Sequence, residues 1–186
     1  MQKVIGFVDY SNLKALARSR GKRPDLVSLR TLLAAAGQGR QALDFLVYAP
    51  LPRSEPEGEG LRRYYGFLRR QGFQVITKRA KLLPNQQTKC NMDAELILDA
   101  IEIAESARPD VIVLVTGDGD MATLALRLRR RGIMVEVAAL PEGLASELRL
   151  AANSFIDLST WADSCQSCGT ATFPGLHTSY SIQPTA

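Results

Sequence analysis

Cysteine is scarce in this chain: three in 186 residues, an odd number. A disulfide framework is therefore excluded as the source of its stability, and a reducing, cytoplasmic setting is expected. Long apolar runs are missing too. The strongest, at 111–115, is strand-sized, far short of the roughly 20 residues of a membrane helix, so no membrane partner is expected. The start of the chain reads at once as a strand (VIGFV, 4–8) and lacks the apolar region of a signal peptide. There is no internal repeat. With 46% hydrophobic residues and a formal charge of only +4, extremes of composition are absent as well, which excludes wholly disordered, collagen-like and coiled-coil chains. What remains is one domain with enough chain to bury a core.

The small net charge conceals an asymmetry. Residues 1–90 hold 17 Lys and Arg against 6 Asp and Glu, whereas residues 91–186 hold 6 against 13. A basic half suits a polyanion such as nucleic acid, although charge runs are commonly no more than solvated helix faces.

Short apolar runs alternate with helical patterns. Strands are expected at 4–8, 43–49, 73–77, 111–115, 133–140 and 155–158. Helices are expected from Pro24 (Leu26, Leu29, Leu32 and Leu33 at helical spacing), at 61–71, 92–106, about 120–131 and 144–151. The stretch between the first strand and Pro24 is polar and basic. Residues 51–60, rich in Pro, Gly, Ser and Glu, and residues 78–90 read as loops. This βαβ rhythm predicts an α/β fold: a three-layer α/β/α sandwich around a mostly parallel, five- to six-stranded, Rossmann-like sheet. The expected domain covers 1–160, and 161–186 is a polar tail, expected to be loosely held.

Ligands of open α/β sheets bind beyond the carboxyl ends of the strands, and acids gather there. Asp9 ends the first strand and is followed by Asn12. Thr116, Gly117, Asp118, Gly119 and Asp120 end the fourth, and Asp93 opens a helix. Each acid alone is adequately explained as a helix cap, a first-turn residue or a turn former. Together they crowd like charges, a conflict that a divalent cation resolves. An all-oxygen ligand set points to Mg²⁺ or Mn²⁺ rather than zinc. Asp99, about 240° round the helix from Asp93, belongs to a solvent stripe with Glu95 and Glu102 and is at most an outer supporting residue.

VDYSN (8–12), TKCNMDAELILDA (88–100), and VLVTGDGDMATL (113–124) followed by GIMVEV resemble the NYN domain, a PIN-like nuclease family, with the closest likeness to its LabA-like bacterial branch. The likeness spans about 3–158. It implies a PIN-like fold and a Mg²⁺- or Mn²⁺-dependent ribonuclease site. Asp9, Asp93 and Asp118 would be metal ligands, Asp120 a further ligand or water-positioning acid, and Asn12 a polar contact beside Asp9. Lys89 and Asp99 match positions that the family fills with those residue types. Thr116 stands for Ser and keeps the hydroxyl, and Met121 stands for Phe and keeps apolar bulk.

Single-stranded RNA would be guided by Arg62, Arg63, Arg69, Arg70, Lys78, Arg79, Lys81 and Lys89; Tyr64 and Tyr65, between two Arg pairs, could stack bases, although one of them is better explained as core. A homo-oligomer is compatible with the chain. The alternative is a non-catalytic RNA-binding adaptor that keeps fold and basic surface without cutting. Two other patterns are weaker. Gly117-x-Gly119-x-x-Ala122 matches a dinucleotide fingerprint, but it encloses two acids that repel a pyrophosphate, and a phospho-acceptor receiver lacks its Lys after the fifth strand. Cys165-x-x-Cys168 with His177 offers too few zinc ligands, leaving exposed reduced thiols.

Overall fold

The computed structural model describes residues 1–37, 39–51, 57–82 and 88–167. Strand β1 (Gln2–Asp9) runs into helix α1 (Tyr10–Ser19), and α2 (Leu26–Ala35) leads to β2 (Arg40–Leu51). Helix α3 (Glu57–Arg70) and β3 (Gln74–Arg79) follow, then a short antiparallel pair, β4 (Lys81–Leu82) with β5 (Thr88–Lys89). Next come α4 (Asp93–Ser106), β6 (Val111–Val115), a 3₁₀ turn at Gly119–Met121, and α5 (Ala122–Arg130). The chain continues with β7 (Met134–Ala139), α6 (Ser146–Ala151), β8 (Ser154–Asp157) and α7 (Ser159–Ser164).

Six strands pair in the order β3-β2-β1-β6-β7-β8, all parallel. The chain therefore starts mid-sheet, winds to one edge, crosses back and winds to the other, the doubly wound plan of Rossmann-like folds. Strand β6 shows why: all five side chains are fully buried, as a strand covered on both faces demands. Side chains of successive residues take opposite faces. Val4, Val8, Val111, Val113 and Val115 pack under α1, α2, α3 and α7 through Leu13, Leu29, Tyr65 and Trp161. Ile5, Phe7, Ile112 and Leu114 pack under α4, α5 and α6 through Leu96, Ala100, Leu124, Leu128 and Leu148. These are the three layers of an α/β/α sandwich. Gly72 and Gly132, at φ +84° and +78°, stop α3 and α5 where helix-terminating glycines are expected.

Several local expectations need correction. The basic stretch after β1 is helical: Asp9 caps α1, and Tyr10, Leu13 and Ala17 recur on one buried face. Residues 57–60, expected as loop, are the first turn of α3, where Glu59 suits the positive helix end; residues 52–56 lie outside the described residues. The expected loop at 78–90 contains the end of β3 and the β4–β5 pair. The packed chain also runs beyond residue 160. Trp161, Ala162 and Cys165 are buried, and the Trp161 indole N–H donates to Ser28 Oγ at 2.9 Å. Arg20 holds this segment through Glu142 (2.8 Å) and Asp163 (3.2 Å), and Lys22 bridges to Ser167. Cys165 is thus a core thiol rather than an exposed one, because α7 seats it against the first layer. Cys168 and His177 lie outside the described residues.

Candidate metal centre

Strands β1 and β6 are neighbours, with Val8 opposite Val115. The next residues, Asp9 and Thr116, leave the sheet side by side where the winding reverses, the place such folds reserve for ligands. The local hydrogen bonds form one connected chain. Asp9 Oδ1 accepts from the Asn12 N–H (3.1 Å), and Asp9 Oδ2 accepts from Thr116 Oγ1 (3.3 Å). That hydroxyl also accepts from the Asp118 N–H (3.2 Å), and Asp118 Oδ1 accepts from the Asp120 N–H (3.0 Å). Asn12 Oδ1 takes the Gly117 N–H at 3.1 Å. Gly117 is glycine for a steric reason: a Cβ there would lie 1.8 Å from Gly143 O, the backbone of the loop before α6.

Asp93 arrives from the other side as the first residue of α4. Its N–H donates to Asn91 Oδ1 at 2.7 Å, and buried Met92 anchors the helix start. The carboxylates of Asp93, Asp118 and Asp120 each place an oxygen within 4.8 Å of the others. Asp9 stands outside that trio, half-buried and held by Asn12 and Thr116, yet close enough to Asp93 for repulsion between them. Burial first, and then the Asp93 charge, push the Asp9 carboxyl above the usual range, against the Asn12 N–H that favours its charged form. Burial also raises Asp93, followed by repulsion from Asp118, Asp120 and Glu95, with the Asn91 contact opposing.

This is the donor set a hard divalent cation requires: carboxylate oxygens, no sulfur and no imidazole. The residues fit such an ion on their own geometry, since a doubly charged cation among them adds three attractions that outweigh the three mutual repulsions.

The remaining expected site residues fall into distinct places. Thr116 is 2% exposed and braces Asp9 and Asp118. Asn12, expected as a polar contact beside Asp9, donates its N–H to that residue, spends its side-chain carbonyl on Gly117 and ties α1 to the acidic turn. Asp99 is not part of a solvent stripe: its Oδ2 accepts from the buried Tyr48 hydroxyl at 2.8 Å. Tyr48 projects from β2 toward α4, a pairing that helix periodicity alone does not reveal. Lys78 is salt-bridged to Glu95 (2.5 Å), beside Asp93. Arg62, Arg63, Arg69 and Arg70 line α3 and are exposed, as is Arg79. Arg63 pairs with Glu59 one turn away, and Arg69 donates to Val75 O at 2.8 Å. The side chains of Lys81 and Lys89 lie outside the described residues. Neither tyrosine of α3 is free to stack bases. Tyr65 is 1% exposed and donates to Pro50 O (2.9 Å), and Tyr64 packs between Tyr10 and Phe67.

Two residues escaped sequence reasoning. Asn91 holds Asp93, and an Asn two residues before the first helical acid is its legible signal. Glu147 of α6 brings a further carboxylate to the acidic turn; a Cβ at Gly119 would lie 3.7 Å from Glu147 Oε2. No local pattern points to it.

A doubly wound sheet with carboxylates converging at its switch point defines a PIN-like α/β protein with an acidic cluster that fits a divalent cation. The chain belongs to the NYN domain family, whose model matches residues 3–159. Among solved structures it is similar to VPA0982 from Vibrio parahaemolyticus RIMD 2210633, a protein of unknown function. The identity there is 26% and the TM-score 0.71, covering 85% of this chain and 93% of that one. A pyrazinamidase/nicotinamidase from Streptococcus mutans UA159 also aligns, at 14% identity and TM-score 0.38, over 88% and 98% of the two chains. Comparison with curated proteins returns no match. Among the described residues, no helix is long and apolar enough to cross a membrane.

Proposed function

We propose that this chain is a divalent-metal-dependent ribonuclease of LabA-like type, cutting single-stranded RNA internally. The observation that carries the reading is the convergence of Asp93, Asp118 and Asp120 to within 4.8 Å at the end of a sheet whose other half is strongly basic. NYN membership supports it, since the family is one of PIN-like nucleases. Free Cys90 and Cys165 suit a reducing, cytoplasmic setting.

Asp93, Asp118 and Asp120 would hold Mg²⁺ or Mn²⁺, with Asp9 alongside. When bound, such an ion supplies Lewis-acid stabilisation of the charge that develops on the scissile phosphate. The chain's own residues do the rest. Thr116 and Asn12 lock the turn, so the carboxylates need no reorganisation when substrate arrives. Asp120, the exposed member of the trio, would orient a water and take its proton at a carboxylate oxygen. The RNA strand would be led in by Arg62, Arg70 and Arg79, exposed on and after α3, with Lys78, Lys81 and Lys89 on the segment that feeds Asp93.

Cleavage of a labelled single-stranded RNA across a metal panel tests this reading. Turnover is expected with Mg²⁺ or Mn²⁺, absent with EDTA, and reduced at least about a hundredfold in Asp118→Asn, the order of effect seen when charge-stabilising groups are removed. RNA binding by the wild type without cutting under any metal refutes it and leaves a non-catalytic RNA-binding adaptor.

A further inference from the structure

The acidic half of the chain is not acidic throughout. Its six basic residues are all arginines, and five of them, Arg108, Arg127, Arg129, Arg130 and Arg131, lie in the C-terminal turn of α5 or just before β6. This is the amino-terminal end of β6 and β7, the opposite pole of the sheet from Asp118. Five residues of β6 separate the two poles, about 17 Å at the usual strand rise.

Two shallow depressions meet there, sharing Gly132 and Ile133; one is lined by Arg129 and Arg130, the other by Arg108 and Arg131 together with Glu105 and Asp110. Nearby acids are already engaged. Glu105 pairs with Arg131 at 2.8 Å, and Asp110 Oδ2 accepts from the Lys3 N–H at 2.7 Å. Among the described residues, the guanidinium groups of Arg108, Arg127 and Arg130 meet no acceptor. Helix α5 needs some positive charge at its carboxyl end, but that does not account for Arg108, which is not on α5. Arg108 has φ +46°, making it the one described non-glycine residue with positive φ, immediately before Pro109. A left-handed backbone strains an arginine where glycine is at ease, so the guanidinium is retained at a cost to the fold.

We infer that this trough is a second RNA-binding surface, gripping phosphodiester groups of a strand whose other segment reaches the acidic trio. The guanidinium fork matches phosphate oxygens, and an open, shallow, cation-lined channel accommodates a flexible backbone without base readout. The inference rests on the ribonuclease reading for its ligand, and it adds a length requirement: only RNA long enough to span both poles gains from the trough.

The test compares the wild type with Arg108→Gly/Arg130→Ala. Binding is measured by anisotropy on labelled oligouridylates of roughly 30 and roughly 4 nucleotides, bracketing the about 4–16 that a single-strand site covers. For the long probe, affinity is expected to fall on the order of tenfold near 0.1 M salt, with the log–log salt slope shallower by about 1.4, or 0.7 per lost contact. The short probe is expected to bind both proteins alike. The melting temperature of Arg108→Gly is expected to stay level or rise, separating a binding role from a structural one, and Arg130→Lys is expected to keep the wild-type slope. An unchanged affinity and slope on the long probe overturns the inference and assigns the arginines to a protein partner or to the helix dipole. Cleavage is read separately. A wild type that never cuts refutes the nuclease reading, while the binding difference still decides the trough.

Discussion

Asp118→Asn is expected to make the metal-free protein more stable while removing its response to metal. Oxygens of Asp93, Asp118 and Asp120 lie within 4.8 Å of one another. Two unit charges at that separation repel by about 1 kcal/mol in water, and by several times more at the lower effective dielectric of a protein surface. Replacing Asp118 removes two of the three pairs, so about 2 kcal/mol is released in high dielectric. Salt screening of these partly exposed groups trims this toward about 1. Asn keeps an oxygen to accept the Asp120 N–H, so the turn itself is preserved. For a chain of this size, about 1–2 kcal/mol corresponds to a melting temperature higher by roughly 2–8 °C. A cation at a hundredfold its dissociation constant stabilises the folded state by about 2.7 kcal/mol. Thermal melts in EDTA and across a Mn²⁺ titration measure both terms. The wild type is expected to melt lower in EDTA and climb with Mn²⁺; the variant is expected to start higher and stay flat. A variant that melts at or below the wild type in EDTA, or that keeps the full Mn²⁺ shift, refutes the crowded-carboxylate argument.

Two further outcomes follow from the core. Arg40 and Glu136 form a two-pronged ion pair at 2.9 and 2.7 Å, with side chains only 6% and 7% exposed. Arg40→Met is expected to cost about 3–5 kcal/mol by leaving a buried carboxylate alone. Arg40→Met/Glu136→Leu should recover most of that, since Arg40 Nε is already buried without a partner among the described residues; urea denaturation reads both, and a double variant as weak as the single contradicts the account. At high pH, burial holds Tyr10 protonated up to about 12 and also raises Tyr48, Tyr64 and Tyr65. The folded state then binds more protons than the unfolded chain above pH 10, so this stability is present below 10 and lost as pH rises toward 12. Melts over pH 8–12 should show that decline, and Tyr10→Phe should make it shallower.

Much of the fold was legible because burial on two faces leaves a local trace. VIVLV at 111–115 is apolar throughout since helices cover both sides, and Gly72 and Gly132 mark helix ends. Helix α1 was harder. Its buried stripe of Tyr10, Leu13 and Ala17 is thin and overlaid by Lys14, Arg18 and Arg20. The first turn of α3 carries glycines that locally favour a loop, and only packing of the helix beyond it settles the matter.

The sequence by itself determined the strand rhythm, the glycine stops and the placing of Asp9, Asp93 and Asp118 at element ends, because each depends on periodicity or on a turn's own chemistry. The tertiary structure decided who faces whom. It brought Asp93 to Asp118 and Asp120 across about 25 residues, and set Asp9 to one side in the grip of Asn12 and Thr116. It also gave Asp99 to Tyr48 rather than to solvent, and gathered five arginines at the pole opposite the acids. Such pairings come from strand order and from the direction in which a helix presents its side chains, and neither is written in any short stretch of chain.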